Sequence, residues 1–279
     1  MGWIRYILSA LEDIDYSQQS SKLLLVVVFF VTYAIGFVIS GLFSTSSTTY
    51  VNLSKKEQIF WNSGFVRSCY TIVCVGVCLR CLFVDKELQE NVMYETTPTS
   101  FIIVISALGF FVFECTVLTF SDISNRKFSF LLQIHHWIGL LILLQLVLHN
   151  VGHFFAARLL LLELSAPFTF TCWILLKFGK GNTTIWKLNQ CLLVHVYHFR
   201  SFIEITFCYY VFFKYRNDLL SELTVPVYLL SCTYALLLTF VLTPYWTYKK
   251  TTQLFIRKDF EFSDSTNQTQ LNGHVKKCA

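Results

Sequence analysis

Apolar residues arrive in this chain in blocks of about 20, separated by short polar stretches, and that spacing leaves few folds open. At 1.5 Å per residue, a helix of that length crosses the ~30 Å hydrocarbon core of a bilayer. Seven blocks run roughly over residues 23–43, 62–84, 99–120, 130–149, 154–177, 190–213 and 224–246. The expected fold class is therefore an all-α polytopic membrane protein with about seven transmembrane helices. Only 14% of the residues are charged, against about a quarter in a soluble domain. The first block starts too far in, runs too long and lacks the small-residue site that a cleaved signal peptide needs. This divides the chain into an N-terminal segment, 1–22, a membrane domain, 23–248, and a polar tail, 249–279.

Lys and Arg in the loops set the expected orientation. With the tail in the cytosol, seven spans put the N-terminus in the lumen. The cytosolic set is then Lys55, Lys56, Arg126, Lys127, Lys177, Lys180, Lys187, Lys249, Lys250, Arg257, Lys258, Lys276 and Lys277, against Arg5, Lys22, Lys86, Lys214 and Arg216 in the lumen. Positive residues favour the cytosolic side, and the mirror arrangement inverts the bias. The net charge of +5 thus reads as membrane anchoring, and nucleic acid is not an expected partner. Sequons at Asn52, Asn182 and Asn267 fall on the cytosolic side and are expected to stay unmodified. Cys74, Cys78 and Cys81 share a helical face beside Gly76, a pattern of small residues for helix packing.

Ionisable residues within a span cost about 2.5–3.5 kcal/mol each at mid-bilayer and count as functional candidates. Counting inward from the cytosolic ends, Glu114 on span three, His135 and His136 on span four, His195 and His198 on span six, and Arg67 on span two fall in one layer. That layer lies roughly 8 Å below the surface at 1.5 Å per residue. Adjacent histidines point about 100° apart, so His135 and His136 cannot both face one spot. His195 and His198, three apart, share a face. Each histidine can equally be an interhelical hydrogen-bonding residue. Arg200 and Glu204 are spaced to neutralise each other. Glu163 lies deeper, near Pro167, which should kink span five; it either lines a pocket or accepts a bond from the loosened backbone.

Di-iron chemistry is disfavoured. His149 lies about 21 Å along the helix from His135, and imidazole–metal bonds are near 2 Å, so the histidines cannot share a metal pair. No metal site and no bound cofactor are expected. General acid–base chemistry fits better, because an imidazole withdrawn from water stays neutral and can accept a proton. A carboxylate such as Glu114 would fix its tautomer. On the cytosolic side, the natural donor is a charged thioester that cannot cross the bilayer, acyl-coenzyme A.

The paired histidines in "QIHHW", with Asn150 fifteen residues after the first, resemble the TLC domain. "KEQIFW", "FECTVLTFS", "LLLELSAPFT", "LLKFGKGNTTIWKLNQ" and "TPYWTYKKTTQL" carry the likeness in order over about residues 55–255. The resemblance implies a TLC-type bundle of six or seven spans. In ceramide-synthesising members the paired histidines belong to the acyl-transfer site, which corresponds here to His135 and His136. The acidic cluster those members carry downstream is replaced by Leu162, Glu163 and Ala166, leaving Glu163 as one carboxylate and putting ceramide synthesis in doubt.

The resemblance further implies an endoplasmic-reticulum protein that supports lysosome biogenesis and cycles through the ER–Golgi intermediate compartment. Two roles go with it: acylation of a glycerophosphoglycerol-type lipid acceptor, or receptor-mediated transport of newly made lysosomal enzymes to the Golgi. The acidic segment 85–98 is a candidate contact for such cargo. A transporter is a third class, hinted at only by the Glu163–Pro167 stretch. The expected catalytic residues are His135, His136 and Glu114, with His195, His198, Asn150, Glu163 and Arg67 around the substrate pocket. The chain ends "KKCA", where Lys276 and Lys277 form a dilysine address readable by the COPI coat; the same basic tail also suits anionic lipid. Expected partners are thus membrane lipids, COPI and lysosomal enzymes, with a homo-oligomer left open.

Overall fold

A computed structural model describes Tyr16, residues 18–126, 128–257 and Asp259. Lys276 and Lys277 lie outside the described residues. Helices α1 (Gln19–Ser44), α2 (Thr48–Val51), α3 (Lys55–Phe83), α4 (Lys86–Glu90), α5 (Pro98–Ser124) and α6 (Phe130–His149) form the first half. The second half comprises α7 (His153–Leu160), α8 (Ser165–Lys177), α9 (Thr184–Tyr209), α10 (Arg216–Glu222), α11 (Val225–Leu237) and α12 (Thr243–Phe255). A 3-10 turn, Leu161–Leu164, joins α7 to α8, and wide π-turns follow α9 and α11 at Tyr210–Lys214 and Leu238–Leu242. No strand occurs among the described residues.

Local sequence sets the starts of the long helices. Before α3, Ser54 accepts from the Glu57 amide while the Glu57 carboxylate accepts from the Ser54 amide. This reciprocal cap satisfies two orphan donors. It moves the start of α3 back to Lys55, ahead of the apolar block at 62. Thr97 and Ser100 cap α5 in the same way, with Pro98 in its first turn. At the far end, α12 continues to Phe255, through the polar residues expected to begin the tail.

Contacts between helix ends order the passes. At one end, Lys177 pairs with Glu57, Lys56 lies 3.6 Å from Asp122, and the Gln190 amide donates to the Lys250 carbonyl at 2.6 Å. These contacts gather the starts of α3 and α9 with the ends of α5, α8 and α12. At the other end, the Gln19 amide donates to the Leu148 carbonyl at 3.2 Å, and the Gly152 amide to the Met93 carbonyl at 2.8 Å. The described residues therefore make seven alternating passes, with α7–α8 and α11–α12 each counting as one broken pass. Six are long and apolar enough to cross a membrane by length and composition alone. The seventh, α9, has 26 residues but carries Lys187, His195, His198, Arg200 and Glu204.

α5 is the central element, buried along most of its length. α1 lies against it from outside and leaves Leu24, Val38 and Leu42 exposed, as suits a lipid-facing helix. The close approach of α1 to α5 depends on Gly109. A Cβ there would stand 2.8 Å from the Phe29 Cβ and 2.9 Å from the Val26 carbonyl oxygen.

Candidate functional site

The cluster begins with α6. His135 and His136 lie five and six residues into that helix, and both are buried. Their rings diverge as the 100° step requires, with centroids 5.1 Å apart. His136 packs against Phe111, with its Nδ1 buried and without a hydrogen-bond partner. His135 turns the other way. Its Nδ1 lies 2.9 Å from the Tyr234 hydroxyl, and the Trp246 ring stands edge-on at 5.4 Å. Tyr234 reaches this point because Gly139, one turn after His135, leaves room: a Cβ there would meet Phe111 at 2.8 Å and the Tyr234 oxygen at 3.2 Å.

Glu163 comes from the 3-10 turn between α7 and α8. Tightening the backbone there releases carbonyls, and Arg200 uses them: its Nη1 donates to the Leu162 carbonyl and the Ser165 hydroxyl, each at 3.2 Å. Arg200 also lies 3.6 Å from Glu204, the expected spacing pair, while Glu204 accepts from Thr243 at 2.6 Å. Arg200 thus braces the break, and Glu163 lines a cavity of about 60 Å³ together with His135, Tyr234 and Gly139. Of the two roles open to Glu163, the placement matches the pocket-lining one.

That cavity adjoins a second one of about 50 Å³. They share Ile142, Leu146, Ala156, Leu159 and Tyr234, and the second reaches Val151, Gly152 and Leu223 near the opposite end of the bundle. The two cavities are apolar and lie one after the other beside α6, with His135, Glu163 and Tyr234 lining the first. Between α3, α5 and the start of α6, a separate vestibule of about 150 Å³ has Lys56, Ser63, Arg67 and Glu114 set among apolar side chains. Glu114, buried, pairs with Arg67 there.

Several expectations need correction. Glu114 is brought to the right depth but meets Arg67 rather than an imidazole, and the carboxylate that shares a void with His135 is Glu163. His195 and His198 point outward from α9, both exposed, with ring centroids 6.4 Å apart; they do not line the pocket. Depth along a helix says nothing of direction around it, and α9 turns Tyr197 and Arg200 inward instead. Asn150 is not in the pocket either. It ends α6 in the left-handed region, φ 53°, where its side chain accepts from Lys22, about 22 Å along the chain from His135. Tyr234, Trp246 and Gly139 were not among the candidates. A Tyr hydroxyl, when buried, usually finds a polar partner, but the same span also carries Tyr228, Ser231, Thr233 and Thr239, so the hydroxyl alone does not single out Tyr234.

Comparison with known sequences adds the family. The TLC domain profile matches residues 60–251, which holds every one of the clustered side chains except Lys56. The chain belongs to the TLC-domain family. It is 33% identical over 275 residues to Protein CLN8 of Rattus norvegicus, covering 96% of this chain and 95% of that protein. It is 34% identical to Protein CLN8 of Canis lupus familiaris over 269 residues, covering 94% and 93%. Against Protein CLN8 of Homo sapiens it is 32% identical over 264 residues, covering 94% and 92%. No solved structure matches the chain. Within the TLC domain lie both His135 with its apolar cavity and the Arg67–Glu114 pair.

Proposed function

We propose that this TLC-domain protein is an acyl-coenzyme A-dependent lipid acyltransferase of the endoplasmic-reticulum membrane, acting on an acceptor of the glycerophosphoglycerol type. The observation that carries the reading is His135 lining an apolar cavity together with Glu163 and Tyr234, with a separate vestibule containing Lys56, Arg67 and Glu114 at the basic end of the bundle. On this reading the thioester sits at His135, Glu163 and Tyr234, and the acyl chain extends from there along the apolar cavities beside α6. The acceptor hydroxyl enters from the vestibule. The Nδ1–H of His135 donates to Tyr234, which leaves the lone pair on Nε2 as general base. Nε2 takes the hydroxyl proton as the acceptor oxygen attacks the thioester carbon. The new C–O bond forms, the C–S bond breaks, and the proton passes to the departing thiolate. The vestibule faces the cytosol on this reading, because the charged donor is made there and the basic loops gather at that end.

The test replaces His135 with Gln in full-length protein, confirms abundance and melting temperature, and measures acyl transfer with radiolabelled donor. A fall of at least 100-fold is expected; unchanged transfer by folded protein ends the proposal.

A second reading has its own support, the segment 85–98. There Glu87, Glu90 and Glu95 are exposed at the end of the bundle opposite the vestibule, available to a luminal lysosomal enzyme. On that reading the protein is a cargo receptor returned by COPI through Lys276 and Lys277. Neutralising the three glutamates should then block enzyme delivery while leaving acyl transfer intact, and replacing both lysines should shift the protein to the Golgi.

A further inference from the structure

Toward the end of the bundle opposite the vestibule, a guanidinium sits within a membrane span and meets only neutral groups among the described residues. Arg158 is on α7, inside the candidate span that begins at His153, where an ionisable side chain is expensive and calls for a partner. No carboxylate pairs with it among the described residues. Of its five N–H donors, one finds an acceptor: Nη2 donates to the Thr206 hydroxyl of α9 at 2.7 Å. That hydroxyl faces the Phe202 and Ile203 carbonyls with its own proton, so it positions the guanidinium without offsetting the charge. Arg158 Nε is buried and has no hydrogen-bond partner.

The half-buried side chain points to the interface. Side chains of an α-helix tilt toward its N-terminus, and α7 starts at this end. Arg158 Cζ comes to rest 5.1 Å from the centroid of the Tyr210 ring. Tyr210 opens the π-turn Tyr210–Lys214, and Lys214 at its far end stands over the same ring at 5.5 Å and over Tyr215 at 4.9 Å. Lys214 is exposed, hydrogen-bonds with the Tyr215 side chain, and also lacks a carboxylate partner among the described residues. The face of an aromatic ring attracts cations but carries no net charge to neutralise them. Tyr209 and Phe213, stacked and exposed beside this pair, suit headgroup level, where aromatic side chains collect. Deeper in the span, α9 exposes Phe202 and Ile205.

We infer that Arg158 and Lys214 form a site for the phosphate of an anionic phospholipid in the leaflet at this end, with an acyl chain lying along Phe202 and Ile205 of α9. A guanidinium presents a planar fork that matches two phosphate oxygens, and Lys214 adds a second positive charge as a point donor. Basic pockets between transmembrane helices hold anionic headgroups in this manner. A zwitterionic lipid offers the same phosphate but brings a cation of its own, which two uncompensated positive charges repel. Free phosphate makes no use of the apolar face below. Arg158 lines neither cavity beside α6, so a lipid here is separate from an acyl chain at His135.

Full-length protein, delipidated in detergent, is titrated with dioleoylphosphatidylglycerol, dioleoylphosphatidylcholine and inorganic phosphate. Melting temperature and native mass spectrometry of retained lipid are the readouts. Phosphatidylglycerol should raise the melting temperature and stay bound, and the other two should do neither. Loss of one charge-assisted contact should weaken phosphatidylglycerol about tenfold in R158Q. K214Q, at an exposed position, should weaken it about threefold and flatten its dependence on salt. R80Q removes a positive charge from the same end but from α3, where Arg80 lies 3.6 Å from Asp85; it should bind as wild type. Equal binding of the two lipids, wild-type affinity in R158Q, or a loss in R80Q as large as in R158Q overturns the site. Stabilisation by inorganic phosphate as strong as by the lipid overturns the lipid as occupant. If R158Q does not fold, K214Q decides, and unchanged affinity there overturns the proposal.

Discussion

At the scale of single residues, the contact between His135 and Tyr234 is the most exacting. One hydroxyl at 2.9 Å from Nδ1 orients the imidazole, and only Gly139 lets it approach. Tyr234→Phe keeps the ring and removes the bond. It should lower kcat for acyl transfer about tenfold, the worth of one buried hydrogen bond to a polarised group, with KM for both substrates little changed. A fall confined to KM would place Tyr234 in binding instead. Gly139→Ala pushes on both Phe111 and Tyr234, and overpacking of that kind costs about 1–3 kcal/mol. Its melting temperature should therefore drop in addition to its rate, whereas Tyr234→Phe should lose rate with less loss of stability. This layer was partly legible in the sequence. The cost of burying His135, His136, Glu114 and Arg67 marks them wherever a span is recognised. Partners were not legible, because Tyr234 is 99 residues from His135 and no local rule couples them.

At the scale of elements, the broken pass α7–α8 does most to shape the site. Pro167 cannot donate a backbone hydrogen bond, and the chain responds just before it with a 3-10 turn that aims Glu163 into the cavity. Arg200 stabilises the released Leu162 carbonyl from a neighbouring helix. Arg200→Met should therefore act at a distance: Glu204 is left buried beside a thioether, and losing one partner of a buried pair costs about 3–5 kcal/mol. Arg200→Met with Glu204→Gln should recover a large part of that loss, as read by thermal unfolding in detergent. Equal destabilisation of single and double variants would mean that the charge of Glu204 is not what the guanidinium offsets. Kinks of this kind are readable from proline. The direction a helix faces is harder: α9 offers two polar faces, and the one carrying His195 and His198 looks outward while the one carrying Arg200 and Glu204 packs. Periodicity reports that faces exist, and packing chooses among them.

For the whole molecule, the seven alternating passes place the N-terminal end of α1 and the C-terminal end of α12 at opposite ends of the bundle. Every long basic loop gathers with the latter. Lys177 there joins Glu57 to Asp259, which brings Asp259 to the start of α3. A positive end of this size should face the cytosol, and the vestibule beside Lys56 and Arg67 faces the same way. Six passes were legible because each is an apolar run long enough to count; which loops meet was not, since those contacts join residues far apart in the chain, 59 positions for Gly152 and Met93 and 120 for Lys177 and Glu57. Orientation is testable without any assumption about activity. In sealed microsomes, a C-terminal tag should be removed by added protease while an N-terminal tag survives. Asn52 and Asn182 both lie in loops at the basic end, so glycosidase should leave the mass of the native protein unchanged. A protected C-terminal tag, or a glycosidase-sensitive form, would invert the bundle. The vestibule would then open to the lumen, away from cytosolic acyl-coenzyme A, and the acyltransferase reading would lose its donor.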